Sequence, residues 1–199
     1  MQSGVLSAVL ALSGGFLFFL AGYGFSRRRI RGSLEFAGLF AASALYTLGY
    51  ALELGQTDLA GMLAALRVQY PGIAFVCFFW LLFALRFSGT ANPGWRARTL
   101  LALPSLAVVV VFWTDPLHHL FYASTWVRTD GPFPVLGVEP GPAYWAHIAV
   151  SQLELIVGTV ILLAHAVSAD PPHRHQARFV AAAALCPWIF LFIYIAGVS

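Results

Sequence analysis

The sequence predicts an all-α integral membrane protein, a polytopic bundle of six transmembrane helices, and three observations lead to this fold class. Of the 199 residues, 60% are hydrophobic and 10% are charged, whereas soluble domains carry about 25% charge. Six apolar runs fill most of the chain, and a membrane-spanning helix needs roughly 20 such residues. Arginines gather at alternate ends of these runs, which is typical of membrane topology.

The predicted spans are separated by turn and charge signals. We place them at residues 4–25, 34–54, 59–87, 99–114, 142–167 and 177–197, and we treat residues 1–199 as one membrane-embedded domain. The first run lacks a basic leader and a small-residue cleavage site, so we expect it to be retained as a span. Asp58 is expected to cap the third helix, and Pro71 is expected to kink it.

The distribution of arginine predicts the orientation of the bundle. The chain has no lysine, and nine of its eleven arginines follow or border the first, third and fifth runs. Because cytoplasmic loops carry an excess of basic residues, we expect an extracytoplasmic N-terminus in a multi-pass membrane protein, in contact with the lipid bilayer. The arginines form no stripe with aromatic residues, so the basic charge does not indicate nucleic-acid binding.

The connection of residues 115–141 is too long to be a simple turn. β-Branched and aromatic residues lie on both sides of Asp130-Gly131, a pattern that favours a two-stranded hairpin. We therefore predict a β-hairpin over residues 121–138, lying across the outer mouth of the bundle. A disordered loop is the alternative.

Among the ionisable residues of the predicted spans, three are candidates for the bundle interior: Glu53, Arg67 and Glu154. Such residues are costly in a membrane and usually face the bundle interior. If the third and fifth helices are neighbours, the depth of Arg67 allows it to pair with Glu154, Glu53 or both, and we expect this pairing.

Other polar residues accompany these three at helical spacing. Two interpretations stay open: a polar pocket in the outer half that binds a small ligand, and a structural ion pair that holds the helices together. For the first, the candidate ligand-binding residues are Tyr50, Glu53, Arg67, Tyr70, His118, Tyr144, His147, Ser151 and Glu154.

Metal binding and catalysis are weakly supported by the sequence. His118, His119 and His147 could bind zinc together with Asp115 or Glu139, but consecutive side chains do not face each other on a helix. We predict no metal and no cofactor. There is no Gly-x-Ser-x-Gly, His-Glu-x-x-His or Gly-x-x-x-x-Gly-Lys motif, and the lack of lysine excludes a retinal Schiff base, so we expect no enzymatic activity.

Several segments carry a family resemblance. They are LGYALEL at 48–54, RVQYPGIA at 67–74, WLLFALRFSG at 80–89, DPLHHLFY at 115–122, GPAYWAH at 141–147 and RHQ at 174–176. In this order they resemble the N-terminal seven-helix sensor region of bacterial histidine kinases. The resemblance implies signal transduction in a two-component system: a sensory domain for an unknown small ligand passes a signal to a cytoplasmic kinase or other output module. Homodimerisation is expected by analogy with kinases.

The chain departs from this family in length, because it ends after six predicted spans and lacks the phospho-acceptor and ATP-binding regions of a kinase. We expect it to be a fragment or a truncated product. The alternatives are a small membrane transporter, since Pro71, Pro104 and Pro187 interrupt three spans, or a structural membrane subunit.

Overall fold

The computed structural model describes the backbone of residues 2–197 and the side chains of residues 3–170, 174–186 and 188. This part of the chain forms six α-helices and one small sheet. The helices are α1 (Gln2–Ser26), α2 (Ser33–Glu53), α3 (Leu59–Ser88), α4 (Trp95–Trp113), α5 (Pro142–Ser168) and α6 (Pro171–Gly197), and the strands are β1 (Tyr122–Arg128) and β2 (Val135–Pro140). The predicted helical fold is confirmed.

Two helices begin earlier than predicted. α4 begins at Trp95, after an extended Gly94, instead of at Thr99. α6 begins at Pro171 instead of Ala177, because proline is tolerated in the first turn, where the missing N–H would have no helical partner.

Four helical segments are long and apolar enough to cross a membrane, within the part of the chain whose placement is described: Ser3–Ser26, Leu59–Ser88, Trp95–Trp113 and Pro142–Ser168. α2 is not one of these segments. It carries Glu35 and Glu53 near its two ends, and it packs between α1 and α3, so less of its surface needs to be apolar. Six spans therefore remain a prediction.

The central helix of the bundle is α3. It packs against α2, α4 and α5, while α1 lies against α2 and α6 against α5. α2 and α3 approach each other closely at Gly72, where an added Cβ atom would lie 2.6 Å from the Tyr46 amide nitrogen. Small residues allow such close packing of membrane helices. α3 and α5 are therefore neighbours, which is the condition that the sequence analysis set for a pairing of Arg67 with Glu154.

The turn between α2 and α3 confirms the predicted cap. The Asp58 carboxylate accepts a hydrogen bond of 2.9 Å from the Gly61 amide, which satisfies one of the free N–H groups at the start of α3. α3 continues through Pro71 as one helix, and the expected kink stays a prediction.

The predicted hairpin is confirmed. β1 and β2 are antiparallel, and the Trp126 ring packs over its cross-strand partner Gly137. The Asp115 carboxylate, in a 3-10 turn after α4, accepts hydrogen bonds from the amides of Phe121 at 2.7 Å and Tyr122 at 3.1 Å. This buried carboxylate fixes the start of the hairpin to the end of α4.

The connections α1–α2, α3–α4 and α5–α6 lie together at the end of the bundle opposite the hairpin. One cleft there is lined by Arg31 of the first connection, Ser88 at the end of α3 and Asp170 of the last connection. The nine arginines singled out above lie in or beside these connections: Arg27, Arg28, Arg29, Arg31, Arg86, Arg96, Arg98, Arg174 and Arg178. The charge asymmetry of the sequence is therefore an asymmetry between the two ends of the fold.

Candidate functional site

A buried aromatic cluster joins the hairpin to the helices. The Tyr70 ring stacks on Phe112 with a centroid distance of 3.7 Å, and Phe121 packs edge-on against both rings. The hydroxyl oxygens of Tyr70 and Tyr122 are 3.0 Å apart. Burial raises the pKa of the Tyr122 hydroxyl to about 12, so this group stays protonated at neutral pH and can donate a hydrogen bond.

A polar groove borders this cluster and lies between α2, α3 and α5. It has a volume of about 340 Å³. On its wall the Gln69 amide nitrogen donates a hydrogen bond to the Glu53 carboxylate, and both side chains are buried. The lining residues are Tyr46, Tyr50, Glu53, Leu66, Gln69, Tyr70, Ile73, Tyr122, Tyr144, His147 and Ile148. The groove thus brings together five of the predicted residues: Tyr50, Glu53, Tyr70, Tyr144 and His147.

The two remaining predicted residues of α5 line a different space. Ser151 and Glu154, together with His147, line a cavity of about 230 Å³ between α3, α4 and α5. The Ser151 hydroxyl and the His147 Nδ1 atom are 3.2 Å apart. His147 borders both cavities, so the predicted set of residues divides into two adjacent sites.

Two predicted residues lie outside these cavities. Arg67 is exposed and lines a separate cleft of about 210 Å³ with Asp115 and His119. His118 contacts the Thr114 hydroxyl at 3.0 Å and accepts a hydrogen bond of 3.1 Å from the Leu120 amide. His118 therefore supports the turn before the hairpin.

The predicted pairing of Arg67 with Glu154 or Glu53 is wrong. Arg67 takes part in none of the ion pairs found among the described side chains, and the buried Glu53 has Gln69 as its partner. A similar depth along neighbouring helices is not enough to make two charged residues pair. A long arginine side chain can place its charge in the polar interface while its hydrocarbon stem covers apolar surface.

An ion-pair cluster that sequence reasoning missed lies at the arginine-rich end. Glu35 is 4% exposed, and its Oε1 atom lies 2.9 Å from Arg98 Nη2 and 3.6 Å from Arg86 Nε. The cluster joins α2, α3 and α4. The sequence did contain a signal, since Glu35 is the only carboxylate in the first turn of a span at the end where nine arginines gather.

The histidines considered for zinc do not assemble a metal centre. Across residues 3–170, 174–186 and 188, no group of three or more His, Cys, Asp and Glu side chains is placed to hold a metal ion. His118 Nδ1 lies 3.7 Å from Asp115 Oδ1, and this pair belongs to the turn before the hairpin.

The fold is a helical membrane bundle, and the half next to the hairpin holds two adjacent cavities with space for small molecules. The sequence model of the N-terminal 7TM region of histidine kinase matches residues 9–199, so the chain belongs to this family. The resemblance stated above is confirmed, and the matched region is a sensory input region rather than a catalytic domain. No curated protein and no solved structure matches the chain.

Proposed function

We propose that this chain is the signal-input domain of a two-component histidine kinase or related receptor, and that a small extracytoplasmic or membrane ligand binds in the polar groove between α2, α3 and α5. The domain crosses the inner membrane six times as a single unit with its N-terminus outside. Its partners are the lipid bilayer, the ligand, the cytoplasmic output module of the full-length protein, and a second copy of the chain in a homodimer.

The observation that carries the proposal is the composition of the groove. Three helices and the hairpin contribute hydroxyl, amide, imidazole and carboxylate groups to one space of about 340 Å³, although polar groups are expensive at membrane depth and usually mark function. Pockets with a few convergent polar groups are typical binding sites. A ligand that contacts α2, α3 and α5 at once would favour one arrangement of these helices over another, which is how binding becomes a signal.

The rival hypothesis of a transporter depended on broken helices. α3 and α4 continue through Pro71 and Pro104 as single helices, so the unwound segments that carriers use to bind substrates are not found in these two elements. This observation favours the receptor.

The proposed orientation predicts the result of reporter fusions. A reporter that is active only in the cytoplasm should be active when it is fused after Arg31 or Arg98, because both positions lie at the arginine-rich end. The same reporter fused at Asp58 or Asp130 should be inactive. Activity in the reverse pattern would contradict an extracytoplasmic N-terminus.

The groove predicts a selective effect on signalling. Tyr50→Phe removes one hydroxyl from the groove and should change the ratio of active to inactive receptor by up to about fivefold, since one hydrogen bond contributes roughly 1 kcal/mol. Autophosphorylation of the full-length kinase in membrane vesicles measures this ratio.

Tyr23→Phe is the matched control, because Tyr23 is an exposed residue of α1 at the opposite end of the bundle. It should leave autophosphorylation unchanged. Equal effects of the two variants would argue against a ligand site in the groove.

A further inference from the structure

The cavity between α3, α4 and α5 differs from the polar groove in its chemistry. Ala107, Val108 and Val111 of α4 form one wall, and Ala146 and Val150 of α5 form much of the other. Its volume is about 230 Å³. An apolar protein cavity of about 150 Å³ is large enough to bind benzene, so this one has room for a molecule somewhat larger than a single aromatic ring.

Glu154 places a carboxyl group at the edge of this otherwise largely apolar cavity. Its side chain lines the cavity, the residue is 8% exposed, and no described side chain or backbone group forms a hydrogen bond or ion pair with its carboxyl group. A carboxyl group that borders an apolar space in a membrane without a hydrogen-bond partner is costly in free energy. A ligand that donates a hydrogen bond to this carboxyl group would remove that cost.

The polar groups of the cavity lie mainly on one side. His147, Ser151 and Glu154 follow one another on the same face of α5 at helical spacing, whereas the wall formed by α4 is apolar except for the buried Ser105. A bound molecule therefore meets hydrocarbon on the α4 side and hydrogen-bonding groups on the α5 side.

We infer that this cavity binds a small apolar amine, with its hydrocarbon body against α4 and its ammonium group on the Glu154 carboxylate. A charged donor suits this position because charge-assisted hydrogen bonds are the stronger kind. A neutral hydrocarbon of the same shape leaves the carboxyl group without a partner. The binding is inferred from this cavity alone, and only its role in signalling rests on the function proposed above.

The experiment uses the full-length protein that contains this chain, in nanodiscs of phosphatidylcholine, with 2-phenylethylamine as the probe and propylbenzene as its hydrocarbon counterpart. Titration calorimetry, corrected with empty nanodiscs, should show saturable binding of the amine and much weaker binding of the hydrocarbon. Glu154→Gln should weaken amine binding about tenfold or more, as expected for the loss of a charged hydrogen bond. Ala107→Phe should abolish it by filling the cavity.

Glu139→Gln is the control for charge, because Glu139 lies in the exposed hairpin and bonds to Ser124. It should bind the amine as the unmodified protein does. Circular dichroism should show native helicity for each variant, and Ala107→Phe keeps the test decisive if Glu154→Gln does not fold.

Three results would overturn the inference: no binding above that of empty nanodiscs, equal affinity for the amine and the hydrocarbon, or unchanged amine affinity in Glu154→Gln and Ala107→Phe. The proposed function fails separately. If the amine binds as expected while neither it nor the groove variants change autophosphorylation, the amine site stands and the sensory role does not.

Discussion

Glu35→Ala is expected to destabilise the protein by about 3 kcal/mol, because it leaves Arg86 and Arg98 facing each other without their shared carboxylate. Removing one partner of a buried ion pair typically costs about 3–5 kcal/mol. The lower end applies here, since the two arginine side chains are 24% and 32% exposed and water screens part of their charge. Thermal unfolding of the protein in detergent should show a midpoint lowered by roughly 6–12 °C.

Two variants separate the lost ion pairs from a general loss of packing. Glu35→Gln keeps the shape and one carbonyl acceptor, so it should unfold between the unmodified protein and Glu35→Ala. Glu139→Ala removes an exposed carboxylate and should change stability by less than about 0.5 kcal/mol. If Glu35→Ala and Glu139→Ala unfold at the same temperature, the ion-pair cluster does not hold α2, α3 and α4 together.

The secondary structure was largely predictable because local chemistry determines it. Apolar runs bounded by arginine, glycine and proline correspond to the six helices, and the cap at Asp58 needs only the residues next to it. The hairpin was predictable for the same reason, since Asp130-Gly131 and the flanking strand residues are close in sequence. The start of α4 was placed four residues too late, because tryptophan and arginine at positions 95 and 96 are as common in interfacial loops as in the first turn of a helix.

Contacts between distant residues were predicted less well. Periodicity correctly grouped His147, Ser151 and Glu154 on one face of α5, but it could not show that this face borders two separate cavities. That division depends on how far α4 lies from α5, which is set by the packing of several helices. The partner of Glu53 was also missed, because Gln69 is uncharged and a search for ion pairs does not consider it.

The error at Arg67 has a physical cause. Depth along a helix can be estimated from the sequence, since each residue adds 1.5 Å, but the direction of a side chain around the helix also depends on its neighbours. A long arginine can reach the interface from a position within a span, and it then needs no buried partner. Glu35 is the opposite case. Its short side chain stays buried, and the longer side chains of Arg86 and Arg98 extend to its carboxylate.

Gly72→Leu is expected to prevent folding of the bundle, and Gly72→Ala to destabilise it by about 3 kcal/mol. A Cβ atom at this position would clash with the Ala42 carbonyl oxygen and lie 2.6 Å from the Tyr46 amide nitrogen. Both are backbone atoms of α2, so no side chain can rotate away and the two helices have to separate. Overpacking of this kind typically costs about 1–3 kcal/mol, and the rigidity of the two backbones places Gly72→Ala at the upper end.

Gly15→Ala is the matched control, because a Cβ atom added at Gly15 of α1 meets no atom within 4 Å. Alanine favours the helix over glycine by up to about 1 kcal/mol, so this variant should be as stable as the unmodified protein or slightly more stable. Thermal unfolding followed by circular dichroism compares the two substitutions on the same chain. A Gly72→Ala protein that unfolds at the same temperature as Gly15→Ala would show that α2 and α3 are not in backbone contact at Gly72. The wall of the polar groove that these two helices form would then need a different geometry.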